Sequence, residues 1–361
     1  MPERKNQHYV PKCALKPFTL NMEGLAINVF NIARDLPIKN APVKGQCARD
    51  YLYGRDLNAE ELLGRLEGQY ARILAQLEAG KSLSEVDKEW LRLFIFIQVR
   101  RTESAIRQMR ESGEGLADAT FKHHPEQRPP DERTDANLML SSMRIGMQLM
   151  PYVKDLKVSV FHNKSSFDFI TCDNPTVLTN RFHFQRLKQR SFGVSNSGAI
   201  LSMPLSPRLS AILYDGGVYS LPNASGTPFI DLKKTEDVAA INDLQFLAAG
   251  KNLYFSRWQD ADTIRSAMTM VSSERDRAGP KTTVFIRDPD ELNVEQYRTG
   301  TLEEEAKALH SMITSSFQYP EPSRWPSPLK FRDKPKVYSN GSAIGYVRNP
   351  DWLTSRALDP Q

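Results

Sequence analysis

The chain has 361 residues, 40% of them hydrophobic and 25% charged, which suits a folded protein with a large core rather than a disordered one. No run of eighteen apolar residues occurs and the opening MPERKNQHYV is polar, so neither a membrane span nor a secretory signal is expected, and the expected location is cytoplasmic. A net charge of +5 permits an anionic partner without demanding one, and three widely spaced cysteines, Cys13, Cys47 and Cys172, supply neither a disulfide framework nor a zinc pattern.

The first fifty residues read as an extended lead segment, a short strand over 27–32 and a turn around Pro37 and Asn40. Asn58, three residues before Glu61, opens a helix whose apolar positions Leu62, Leu63, Leu66, Tyr70, Ile73, Leu74 and Leu77 recur at helical spacing until Gly80. Ser84 and Asp87 form a capping-box pair ahead of a helix with almost no polar face, from Trp90 to Val99, which must therefore be central. A polar loop near 125–132 separates this from a methionine-rich helix over roughly 136–150, stopped by Pro151. From Lys157 the period changes to two, and strands are expected over 158–160, 167–170, 200–203 and 209–214, all in one sheet. A helix over 236–249, strands over 253–255 and 283–286 and a helix over 302–317 follow. After Tyr319 five prolines in a short span predict an irregular surface wrap with one late strand around 344–347. The expected class is α+β: a helical layer, about 50–151, packed on a mixed, mainly antiparallel sheet, about 157–318. These form one domain over 1–318, and 319–361 is a Pro-rich C-terminal wrap.

Polar groups set in apolar surroundings are the candidate site residues, because burying them without partners costs a few kcal/mol. His8 and Tyr9, within Gln7 to Pro11, place an imidazole and a phenol beside a proline; they serve either proton transfer or anchorage of the N-terminal arm. Gln98, Arg101 and Thr102 share one helix face, and a buried guanidinium there requires an anion, either a structural carboxylate such as Glu67 or a ligand phosphate. Asp173 and Asn174, with Pro175, follow a strand over 167–170, where they either present a working carboxylate or close an Asx turn. Pro204 to Pro207 and Asn242 read mostly as strand-end scaffolding. Between these clusters, Arg181, Arg186 and Arg190 alternate with aromatics, a pattern that suits nucleic-acid phosphates and bases and equally a solvated hairpin.

Gln7 to Pro11, Tyr51 and Tyr53, Glu67, Gln98 to Thr102, Asp173 to Pro175 and Pro204 to Ser206 occur in an order that resembles a bacterial family of unknown function opening on a His-Tyr-Val-Pro motif. The resemblance spans residues 6 to about 255. It implies a role in defence against phage, and, for some members, a DNA glycosylase that removes modified bases. On chemical grounds Asp173 would then stabilise the sugar cation or orient water, with His8 or Tyr9 assisting the departing base. Gln98 and Asn174 would read the turned-out base, and Arg101, Arg181, Arg186 and Arg190 would hold phosphates. That chemistry calls for no metal or cofactor, and DNA is the expected partner. Two rivals stand beside it: a metal-dependent nuclease built on Asp215, Asp231 and Lys233, and a noncatalytic sensor of infection.

Overall fold

A computed structural model describes residues 5–54, 58–222, 229–287, 297–308, 310–341 and 345–354. The lead segment is more structured than its sequence suggests. Strand β1 (Asn6–His8), a one-turn helix α1 (Lys12–Leu15), β2 (Ala26–Asn31), β3 (Leu36–Pro42) and β4 (Ala48–Asp50) follow one another. Pro37 lies within β3 rather than in a turn. It is tolerated because β3 is the outer strand of its sheet, where a missing N–H costs no ladder bond.

Helix α2 (Asn58–Glu78) matches the expected span, although the side chain of Asn58 lies outside the described residues. Helix α3 (Glu85–Arg100) opens on the capping box of Ser84 and Asp87, and its Leu91, Phe94, Ile95, Phe96 and Ile97 are all buried. The Phe94 ring stacks on Tyr70 of α2 with centroids 3.9 Å apart. Helix α4 (Glu103–Thr120), capped by Thr102, was not foreseen, because Gly113 and Gly115 disguise it. Gly115 has a packing reason: a Cβ there would come within 2.4 Å of Thr282 Oγ1 on the strand that crosses α4. Helix α5 (Asp135–Leu149) completes the helical layer.

The expected single sheet is divided, and two of its parts hold most of the core strands. One has the order β11 (Phe229–Leu232), β5 (Lys157–Asn163), β9 (Leu209–Tyr214), β8 (Ile200–Pro204) and β7 (Val177–Thr179), antiparallel except for the parallel β11 and β5 pair. The other runs β3, β2, β12 (Asn252–Phe255), β6 (Thr171–Cys172), all antiparallel. Only Thr171 and Cys172 pair in the stretch where 167–170 was expected to be a strand. Along β9, Leu209, Ala211 and Leu213 face the core under α2, α3 and α5, whereas Ile212 and Tyr214 face a second core shared with α6 (Thr235–Ala248). Burial on both faces explains why these strands read as continuous apolar runs. Helix α6, buried on nearly all sides, separates the two sheets, and α7 (Ala261–Arg275) covers the outer one through Ile264 and Met268. Asn242 of α6 joins the layers: its amide accepts from Ile170 N at 3.1 Å and donates to Asp168 O at 2.9 Å.

Beyond α7 the expectation of a helix over 302–317 gives way to α8 (Leu302–Lys307) and a strand, β15 (Ser311–Gln318). SMITSSFQ is rich in β-branched and hydroxyl residues, and pairing with β13 (Gly279–Arg287) outweighs the weak helical period; β14 (Tyr297–Arg298) extends that sheet. The Pro-rich segment lies against α6 and β10 (Tyr219–Ser220). Arg324 pairs with Asp243 and Ser327 with Asp237, both on α6, and β16 (Lys330–Phe331) pairs with β10. The late strand reduces to bridges from Val347 to Asn196 and Tyr338, with Ile344 outside the described residues, before a short helix α9 (Asp351–Thr354). The architecture is α+β, with helices concentrated in the N-terminal half.

Candidate functional site

The ordered motifs of the sequence are one another's partners. Gln7 accepts from Tyr53 N at 2.6 Å and donates to Gly54 O at 3.2 Å, clamping the N-terminal arm beneath the loop after β4. The Tyr53 hydroxyl and Arg101 both donate to His8 O, at 3.0 and 2.9 Å, and Gln98 Nε2 donates to Tyr9 O at 2.8 Å. Arg101 is fully buried and pairs with Glu67 at 2.9 Å, the structural carboxylate that the sequence offered for it. Thr102 donates to Asn174 Oδ1 at 3.2 Å, and Asn174 Nδ2 to Ala248 O at 3.4 Å. Removing Gln7 or Gln98 would deprive the buried Tyr53 N or Tyr9 O of its side-chain partner, at about 1–3 kcal/mol.

The His8 imidazole faces a cavity of about 310 Å³ shared with Lys12, Cys13, Tyr53, Glu60, Glu67 and Arg101. Burial, then the neighbouring charge of Lys12, lowers its pKa to about 4, so the ring is neutral at pH 7. Asp173 lines a different cavity, of about 250 Å³, with Arg49, Glu103, Arg107, Arg110, Asp135 and Lys251. His8, Gln98, Arg101 and Asp173 therefore do not converge. Gln98 and Arg101 are occupied by the arm, and the peptide unit between His8 and Tyr9 sends their side chains to separate places.

Tyr9 goes to the Asp173 side. Its hydroxyl donates to Glu103 Oε2 at 3.4 Å, and Glu103 also receives Lys251 Nζ at 2.6 Å and lies 3.6 Å from Arg49 Nη1. Burial, followed by the charges of Cys47, Asp173 and Glu103, raises the Tyr9 pKa far above the ordinary phenol value, so Tyr9 acts as a donor and not as a phenolate. Cys47, buried between Tyr9 and Tyr254 with its Sγ 3.1 Å from Tyr254 Oη, sits at φ 51°, a left-handed conformation that is costly for a residue with a Cβ. Its carbonyl accepts from Tyr9 N at 2.9 Å, so the strained residue fixes the height of the phenol.

Asp173 closes a turn. One oxygen accepts from Gly250 N at 2.7 Å, the other from Lys251 N at 2.6 Å and Asn252 N at 3.4 Å. Burial raises its pKa, and the three backbone donors oppose that shift. A Cβ at Gly250 would lie 3.3 Å from both Asp173 Oδ2 and Ser104 Oγ, a tight contact that a larger residue would relieve only by displacing the turn or α4 slightly. Asp173 thereby sets the position of Lys251, whose ammonium reaches Glu103. Sequence reading missed Glu103. The available signal was its place at the first turn of a helix directly after the Arg101 and Thr102 motif, visible only once Thr102 is recognised as an N-cap. Arg49, Arg107, Arg110 and Lys251 rim the cavity; Asp135 binds Arg49 and Arg110, both at 2.8 Å, while Lys251 and Arg107 stay more than half exposed.

The basic and aromatic stretch lies elsewhere and is largely spoken for. Arg181 donates to Leu329 O at 2.6 Å and stacks over Phe331, Arg186 stacks over the same ring, and Arg190 pairs with Glu274 and Tyr319 O. Of the nuclease candidates, Asp215 is buried and accepts from Gly198 N and Gly217 N at 2.7 and 2.8 Å. Asp231 lies within strand β11, not at the opening of a helix, and pairs with His162 at 3.3 Å. Tyr214 and Asp231 align with Lys157 and His162, opposite ends of β5, and lie on the strands to either side of it, so the two aspartates are separated by at least roughly 16 Å along the strand direction alone, too far to share an ion. Among the described residues no helix is long and apolar enough to cross a membrane.

Residues 6–258 match a family model described as a protein of unknown function (DUF4238). No curated protein and no solved structure matches the chain.

Proposed function

We propose, for a chain that belongs to this DUF4238 family, an enzyme of defence against phage that hydrolyses the N-glycosidic bond of a modified base in DNA and leaves an abasic site. The observation that carries the reading is the meeting of Glu103 with the Tyr9 hydroxyl and the Lys251 ammonium on the wall of a cation-rimmed cavity. The bond from C1′ of the sugar to the base nitrogen breaks with its electron pair leaving on the base, and the sugar becomes an oxocarbenium-like cation. A carboxylate beside that cation stabilises it and takes a proton from the attacking water. In this reading Glu103, hydrogen-bonded by Tyr9, takes that role, and Asp173 is a positioning residue that acts through the Gly250 to Asn252 turn. Arg49, Arg107, Arg110 and Lys251 hold the backbone phosphates on either side of the reacting sugar.

The test is incubation of purified protein with phage DNA carrying modified bases, followed by alkali. Breaks that require alkali, abolished by Glu103→Gln, support the reading; breaks without alkali that stop on chelation point to the nuclease instead. A noncatalytic sensor draws support from the internal pairing of Gln98, Arg101 and Asp173, and it predicts protection of cells by Glu103→Gln equal to that by the unaltered protein.

A further inference from the structure

A second cavity, of about 230 Å³, adjoins the first, and both are lined by Ser104 and Arg107. We infer that this second cavity is a binding site for a phosphoryl group, held by Arg107, Gln108 and Arg275. The inference goes beyond the glycosylase reading and does not depend on it.

Arg275, the last residue of α7, carries the argument. Its guanidinium is partly buried and donates through Nη1 to Phe246 O at 2.6 Å and Leu247 O at 3.5 Å, carbonyls of the last turn of α6. No carboxylate among the described residues lies at salt-bridge distance from it. Its Nε and Nη2 have no hydrogen-bond partner there either, yet neither is sealed from water, so half of the fork stays open on the cavity wall. Burial lowers the Arg275 pKa and the charge of Arg107 adds to the fall, against the pull of Cys172, Asp173 and Asp276, but a guanidinium stays charged at neutral pH. An anion against the open half of the fork relieves both the burial and the repulsion.

Helix α4 supplies the other donors. Ser104, Arg107, Gln108 and Glu111 recur at i, i+3, i+4 and i+7, so one helix face turns them toward the same space. Arg107 is more than half exposed, donates to Ser104 Oγ at 3.3 Å and stands 3.9 Å from Glu111 Oε1, which leaves most of its fork available. The Gln108 amide has no partner among the described residues and is likewise open to water. Glu111 is the one acidic residue of the lining and works against an anion, but two guanidiniums outweigh it. Two forks and an amide, brought in from α4 and α7, aim donors at the space from more than one direction. That arrangement fits the three oxygens and double charge of a phosphoryl group better than the flat, singly charged carboxylate. The remaining wall, with Leu178, Leu247 and Phe317, is apolar, which strengthens the attraction by keeping water back.

Calorimetric titration of the purified full chain with inorganic phosphate, at neutral pH and low salt, reads the site without DNA. Arg275→Gln keeps a donor for Phe246 O while removing the charge, and it and Arg107→Gln should each weaken phosphate about tenfold or more. Glu111→Gln removes the opposing charge and should tighten phosphate about threefold, a gain that misfolding cannot imitate. Lys251→Ala, which alters the first cavity alone, should leave the affinity unchanged. Competition by pentathymidylate identifies the phosphoryl group as that of a DNA strand, and competition by glucose 6-phosphate alone as that of a small phosphorylated molecule; both retain the site. Absence of phosphate binding, acetate bound as tightly as phosphate, affinity unmoved by Arg107→Gln and Glu111→Gln, or affinity lost in Lys251→Ala overturns the inference. Base release from DNA is scored apart: its failure removes the glycosylase and leaves this site, and loss of this site leaves the glycosylase.

Discussion

Arg101 separates structure from ligand binding, and its environment fixes the size of the effect. Arg101 is 2% exposed and its partner Glu67 is 29% exposed on the wall of the 310 Å³ cavity. Removing one member of a buried pair costs about 3–5 kcal/mol, because the other charge is left unpaired. Arg101→Met leaves a carboxylate that water can reach through the cavity, and His8 O keeps the Tyr53 hydroxyl, so the loss belongs at the lower end, about 3 kcal/mol. Glu67→Ala strands the guanidinium out of water and belongs at the upper end, about 5 kcal/mol. The double variant recovers much of either loss, since no unpaired charge remains. Urea unfolding at pH 7 with linear extrapolation measures all three. A cost under about 1 kcal/mol for Arg101→Met, combined with loss of DNA binding, would refute the structural assignment and make Arg101 a ligand group.

Asp173→Asn offers one oxygen where two accept backbone N–H groups, so an N–H of the 250–252 turn loses its partner. Urea unfolding should show a loss of about 2–3 kcal/mol, and an unchanged midpoint would deny the turn-closing role. Burial lowers the His183 pKa from 6.5 to about 4 between the Phe182 and Phe192 rings. The folded state thus refuses a proton that the unfolded chain accepts, and stability present above pH 6.5 is lost as pH falls toward about 4. His183→Phe should shrink the fall between pH 6.5 and 4.5 by about 2–3 kcal/mol; an equal fall in the variant would show that His183 does not titrate in this window. Replacing Arg107, Arg110 and Lys251 by Ala should flatten the dependence of DNA affinity on salt by roughly 0.9 in log–log slope for each phosphate no longer neutralised. Arg181, Arg186 and Arg190 variants should leave that slope unchanged, as fluorescence anisotropy across a salt series would show.

Regular helices with explicit caps were legible: Ser84 and Asp87 place α3, and its apolar run announces a helix whose 94–98 stretch is buried. The same periodicity misled at 311–318, where pairing with β13 decides the conformation, and at α4, where Gly115, needed for contact with Thr282, and Gly113 weaken the helical pattern. Partition of the strands into two sheets was not legible, because it depends on α6 entering between them. Of the motif residues, Gln7, Gln98, Arg101, Thr102 and Asp173 are buried polar groups. Their division of labour was hidden, since side chains adjacent in sequence part company, His8 to a cavity wall and Tyr9 to Glu103. Glu103 was signalled only by its place after the Thr102 cap, and the folding of the N-terminal arm, α4 and the 250–252 turn brings it to Tyr9 and Lys251.

The most direct test of the central claim is mass spectrometry of free bases released in a single turnover from phage DNA with modified bases, comparing the unaltered protein with Glu103→Gln. The account predicts release of one modified base by the unaltered protein, and a loss of at least about 100-fold in the variant with its unfolding midpoint and DNA affinity retained. Release undiminished in Glu103→Gln, or no base released from any modified DNA by the unaltered protein, would contradict it.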